Sequence, residues 1–102
     1  MDASTFEPEE SASHIADIER AVKILREEGC GEIYLFGSVA TGTARTDSDL
    51  DLGIRDYPRE RFFRIYGRLL MELEHNADLV DFGHESRLFE VLQEIGEVRR
   101  IA

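Results

Sequence analysis

The sequence predicts an α/β (α+β) fold: a small mixed β-sheet with helices packed mainly on one face. Three observations predict it. Two runs of strand character, EIYLF at 32–36 and the alternating DLDLGI at 49–54, are separated by a loop of small and polar residues. Stretches with apolar residues at steps of three and four lie before and after that pair. Helix and strand patterns then alternate to the end of the chain, giving the order α-β-(loop)-β-α-β-α-β without repeats.

Each element has a local cause. MDASTFEPEE is polar, acidic and broken by Pro8, and reads as a disordered tail over residues 1–10, ahead of a single domain at 11–102. Ile15, Ile18, Val22 and Leu25 share one helical face, with Ser11 or Ser13 to cap its start and Gly29 to end it. EIYLF is β-branched and aromatic and stops at Gly37. SVATGTARTDS is a loop, with room for one helical turn after Ser38. In DLDLGI, Asp49 and Asp51 face one way and Leu50, Leu52 and Ile54 the other.

Pro58 opens a helix at a position where proline is tolerated, and Phe62, Ile65, Tyr66, Leu69 and Leu73 form its apolar stripe. ADLVDF is a third strand. Glu85 or Ser86 begins a last helix carrying Leu88, Val91, Leu92 and Ile95, with Gly96 after it. EVRRIA reads as a short edge strand.

Composition limits the function. With 102 residues the chain suggests one domain. Its net charge of -10 repels nucleic-acid backbones, so general nucleic-acid binding is not expected. One small anion can still be held locally by metal ions or backbone N–H groups. Cys30 is the only cysteine, which excludes an intrachain disulfide and fits a reducing compartment. Following Gly29, it is expected to be semi-buried and inert. No apolar run reaches a membrane span's roughly 18 residues, and a cytoplasmic location without membrane attachment is expected.

The chemistry is concentrated in LFGSVATGTARTDSDLDL, residues 35–52. Two carboxylates on one side of a strand repel each other, and one pKa rises. A divalent cation removes that penalty, and oxygen ligands alone select a hard ion, Mg²⁺ or Mn²⁺. Gly37 lets the backbone approach a phosphate, N–H groups at the start of a helical turn point toward an anion, and the Ser38 hydroxyl adds a donor. Gly42 keeps the returning loop thin. Alone, an Asp-x-Asp or a Gly-Ser is a solvated face or a turn; their conjunction between two apolar strands is what points to a site.

Gly37-Ser38-x-Ala40-x-Gly42, Arg45 and Asp47-Ser48-Asp49-Leu50-Asp51-Leu52 together resemble the signature of the DNA polymerase β-like nucleotidyltransferase superfamily. Length and loop are most similar to its minimal nucleotidyltransferases. The resemblance is specific over about residues 33–54 and looser over most of the chain. It implies the polymerase β-like fold and transfer of a nucleoside monophosphate, AMP from ATP or another NTP, to a hydroxyl with release of pyrophosphate. Two Mg²⁺ ions, with Mn²⁺ as an alternative, would be held by Asp49 and Asp51, and the nucleotide phosphates by Gly37 and Ser38, with Arg45 and Ser48 as further nucleotide-binding candidates. Thr41 departs from the pattern, where many members have Arg, so no role is carried onto it.

The family usually adds a third carboxylate from a neighbouring strand. One helix joins the second and third strands, so a right-handed crossover to a parallel neighbour is expected. Residues at the start of one strand then lie beside those at the start of the next, which selects Asp78. Asp81, about 10 Å further along, faces the other way and is expected to cap the strand end or meet solvent.

Arg61, Arg64 and Arg68 form a helical stripe that could meet a triphosphate; surface pairs with Glu60 and Glu72 explain it as well and are favoured. His14, His75 and His84 are far apart in sequence, lack ligand spacing, and read as surface or helix-end residues. The resemblance also implies a partner, because minimal nucleotidyltransferases are commonly paired with separate helical proteins, HEPN-domain proteins among them. That leaves an enzyme completed by a helical partner or by another copy of the chain. The alternative is an antitoxin-like interaction protein that neutralises a HEPN-type toxin, if need be by adenylylating it.

Overall fold

The structure, a computed structural model, describes residues 8–45 and 47–102. Helix α1 (Pro8–Glu27) is followed by β1 (Glu32–Phe36), the five-residue α2 (Gly37–Thr41) and β2 (Leu50–Arg55). A 3-10 turn (Arg59–Arg61) leads into α3 (Phe62–Glu72), then β3 (Ala77–Asp81), α4 (Ser86–Glu94) and β4 (Val98–Arg100). The four strands form one sheet in the order β3-β2-β1-β4, with β1 antiparallel to both its neighbours and β2 parallel to β3. The α3 crossover between β2 and β3 thus joins parallel neighbours, and the last strand lies at an edge.

The two-residue period of the strands divides the core. Ile33 and Leu35 of β1, Leu50, Leu52 and Ile54 of β2, and Ala77 and Leu79 of β3 pack against Ala21, Ile24, Leu25, Ile65 and Leu69 of α1 and α3. The opposite face carries a smaller cluster of Tyr34, Phe82, Phe89 and Leu92, contributed partly by α4. Leu50, Leu52 and Ile54 are fully buried. At about 1.5–3 kcal/mol each, their burial anchors the strand that carries the two aspartates.

Three expectations shift. Residues 8–10 of the expected tail belong to α1, which includes Pro8 and so extends ahead of Ser11 and Ser13; residues 1–7 lie outside the described residues. The α-helix after Pro58 begins only at Phe62, the intervening residues forming the 3-10 turn. The inward face of α1 is also rotated from the expected stripe. Ile15 is 51% exposed, while His14, Asp17, Ala21, Ile24 and Leu25 are buried. The reason is that two polar side chains in its first turns have hydrogen-bond partners at the strand starts.

Candidate active site

The register of the sheet assembles the acidic cluster. Asp51 is the direct parallel neighbour of Asp78, as Leu50 is of Ala77. Asp49 stands two residues before Asp51, just ahead of β2. Burial, then the charges of Asp78 and Asp49, pushes the Asp51 carboxyl above its usual range. Two carboxylates on adjacent strands with a third beside them repel in a half-buried setting, the environment a cation relieves.

Gly37 sits against this cluster. Phe36 pairs with Asp51 across β1 and β2, so the next residue turns beside the carboxylate. Gly37 has φ 75°, and a Cβ there would collide with Asp51 Oδ2. Only glycine leaves Asp51 its place. Helix α2 starts at this point, so the N–H groups of its first turn have no acceptor within the helix. That of Gly37 donates instead to the Glu97 carbonyl at 3.3 Å. Ser38 and Val39 follow, so any phosphate contact falls to them.

The loop returning to β2 is closed by local hydrogen bonds. Ser48 Oγ accepts the Arg45 backbone N–H at 2.8 Å, and the Ser48 N–H donates to the Arg45 carbonyl at 3.0 Å. The Arg45 side chain is exposed. Gly37, Ser38, Asp49, Asp51 and Asp78 therefore gather at one end of the sheet, with Arg45 and Ser48 on the loop that leads into it.

Asp81 has a different environment. Its carboxylate accepts hydrogen bonds from Tyr57 Oη at 2.7 Å and from the backbone N–H groups of Gly83 and His84 at 2.8 and 3.1 Å. Arg59 lies 3.3 Å away. Burial alone would raise its pKa, but these donors and the Arg59 charge outweigh burial and hold it below the usual range. Asp81 caps the end of β3. A cavity of about 750 Å³ beside it is lined by Tyr57, Phe62, Phe63, Leu79, Asp81 and Leu88 among others, and by none of the acidic cluster.

Four residues of the neighbourhood had no sequence signal of their role. Tyr66, read as part of an apolar stripe, donates its hydroxyl to Asp78 Oδ1 at 3.0 Å. His14 and His75, expected at the surface or at helix ends, are brought together: His14 is buried and its ring stacks on His75 with centroids 3.9 Å apart. His75 Nδ1 donates to Asp17 Oδ2 at 2.7 Å, and Asp17 is itself buried. These partners come from distant segments, and sequence spacing carries no trace of them. The arginine stripe turns inward to the end of α1. Arg64 and Arg68 lie 3.5 and 3.1 Å from the buried Glu28, and Arg68 also pairs with Glu72 four residues on. Cys30 is buried, its thiol pushed up to about 11 by burial and the Glu28 charge.

Among the described residues, no three His, Cys, Asp or Glu side chains converge closely enough to cage a metal by themselves. The donor set still fits Mg²⁺, which takes one or two carboxylates and fills its shell with water and phosphate oxygens.

A mixed sheet that sets a glycine at the start of a short helix against one of a row of carboxylates is an architecture for phosphoryl chemistry. The chain belongs to the nucleotidyltransferase domain family, whose model matches residues 18–100. It is similar to the solved structure of a protein assigned to the minimal nucleotidyltransferases, with 29% identity over 87% of this chain and 93% of that one, and a TM-score of 0.68. A toxin-antitoxin crystal structure with AMP-PNP is 25% identical over 80% of this chain and 69% of that one, at a TM-score of 0.65. The toxin-antitoxin MntA-HepT, at 21% identity, a TM-score of 0.61 and coverage of 84% and 69%, shares the fold. No curated relative matches the chain. Among the described residues, no helix is long and apolar enough to cross a membrane.

Proposed function

We propose that this nucleotidyltransferase moves a nucleoside monophosphate, AMP from ATP, onto a hydroxyl of a protein or small-molecule acceptor, with Mg²⁺ and together with a separate helical partner. The observation that carries this reading is the parallel register placing Asp78 beside Asp51, with Asp49 on the same strand approach. Asp49, Asp51 and Asp78 would hold the divalent ions, which when bound stabilise charge on the attacking and leaving oxygens of an in-line displacement.

The rest is the work of the chain's own residues. Gly37 keeps space beside Asp51. The Ser38 hydroxyl and the first-turn N–H groups of α2 receive phosphate oxygens, and Arg45 brings positive charge from the loop. Tyr66 orients the Asp78 carboxylate through its hydroxyl.

A second reading makes the partner itself the acceptor: an antitoxin that neutralises a HEPN-type toxin by adenylylating it. The likeness to a toxin-antitoxin structure solved with AMP-PNP favours it. So does the outer face of α3, where Phe63 and Met71 are 84% and 87% exposed. Incubation with Mg²⁺, ATP labelled at the α-phosphate, and the protein that copurifies from the native cell tests both. Label on a partner hydroxyl with pyrophosphate release is expected. A partner that stays bound yet unlabelled would leave binding alone as its role, and rapid labelling of a small acceptor by the isolated chain would remove the need for a partner.

A further inference from the structure

We propose that His14 and Asp17 of α1 are positioning residues that set the placement of the two carboxylate-bearing strand starts relative to each other. The inference rests on Asp49, Asp51 and Asp78 holding the metal. His14 Nε2 donates to the Ser48 carbonyl at 3.0 Å, immediately before Asp49. One helical turn on, Asp17 Oδ1 accepts the Glu74 N–H at 3.0 Å, and Oδ2 accepts the His75 N–H at 2.7 Å. The same oxygen accepts the His75 ring Nδ1–H at 2.7 Å, three residues before Asp78.

One turn of α1 therefore grips both segments. The stack of His14 on His75 closes the pair, and a backbone hydrogen bond from Leu50 N–H to the Asn76 carbonyl, 2.8 Å, ties the strand starts directly. A helix needing only to pack would place apolar side chains at these buried positions, since burying polar ones costs free energy unless each is partnered. Here the partners are the backbone groups that deliver the carboxylates. Outer-shell groups of this kind act through the ligands they orient.

The test uses the whole chain and Mn²⁺ alone as probe, read by the electron paramagnetic resonance of free Mn²⁺. Melting curves establish that each variant is folded at the measuring temperature. Asp17→Ala and His14→Leu should weaken Mn²⁺ binding about 10-fold and lower kcat more than they raise the KM for ATP. His14→Gln, which keeps an N–H donor, should recover much of the affinity. Ile24→Val, an apolar core change in the same helix seven residues beyond Asp17, should lower the melting temperature without weakening Mn²⁺ binding. Asp17→Asn, which retains one acceptor oxygen, replaces Asp17→Ala if that variant does not fold.

If Asp17 and His14 variants bind Mn²⁺ like the wild type while Asp51→Asn does not, the positioning role is overturned and the metal site stands. If Asp51→Asn also binds like the wild type, the metal reading falls and the positioning role with it.

Discussion

Gly37 and Asp51 are in contact across β1 and β2, with no room for a Cβ between them. Gly37→Ala therefore meets two obstacles: a φ of 75° and the Asp51 carboxylate. Stability should fall by about 1–2 kcal/mol for the left-handed conformation alone, and nucleotidyl transfer should drop below detection. Denaturant melts and pyrophosphate release measure the two effects. Unchanged transfer would show that Asp51 need not hold its observed place.

Asp51→Asn separates repulsion from structure. Burial and the charges of Asp78 and Asp49 raise the Asp51 pKa, so protonation favours the folded state and ionisation disfavours it. The variant should be as stable as the wild type or more so at pH 7 without metal. That advantage should shrink as the pH falls through the raised pKa. Mg²⁺ with ATP should raise the melting temperature of the wild type more than ATP alone, and should lose this effect in the variant. A metal-free variant that unfolds would assign Asp51 to structure.

Asp78 and Asp81 should part company on substitution. Asp78→Ala should abolish most transfer with little loss of stability, since Asp78 is exposed and accepts a hydrogen bond from the Tyr66 hydroxyl at the surface. Asp81→Ala should retain transfer and cost about 1–3 kcal/mol, because Tyr57 and two backbone N–H groups lose their acceptor. Parallel activity and melting measurements decide it, and a reversed ranking would move the metal site to the other end of β3.

Acid should destabilise the metal-free chain through Asp81 and Asp17. Burial opposes ionisation of both, but hydrogen bonds outweigh it and depress each pKa. A depressed folded-state pKa contributes stability that is present above the unfolded value, about 3.9, and is lost as the pH falls through the folded value. The share of the melting temperature that Asp81 and Asp17 supply should hold from neutrality to about pH 4 and be lost below it, which Asp51→Asn, free of the Asp51 titration, shows without overlap. Asp81→Asn should start lower at pH 7 and fall less steeply.

Much of the sheet and its acidic row could be read from residues alone. The alternation in DLDLGI sends Leu50, Leu52 and Ile54 inward and leaves Asp49 and Asp51 on the other side, because a strand has a period of two. A single-helix crossover to a parallel neighbour sets the strand starts side by side and selects Asp78 as the neighbour of Asp51, and the observed register pairs them. These inferences succeed because they depend on local geometry and on a rule with few exceptions.

Tertiary structure decided what local periodicity cannot encode. The apolar spacing of α1 puts Ile15 inside, yet His14 and Asp17 take the inward face because their partners, Ser48, Glu74 and His75, lie 34 to 58 residues away. In the same way the Arg64 and Arg68 side chains meet the buried Glu28 in the turn that follows α1, and Tyr66 reaches Asp78 from an apolar stripe. Burial of a polar group is decided by whether the folded chain brings it a hydrogen-bond partner, and for His14 and Asp17 that partner exists only once α1 has packed across the starts of β2 and β3.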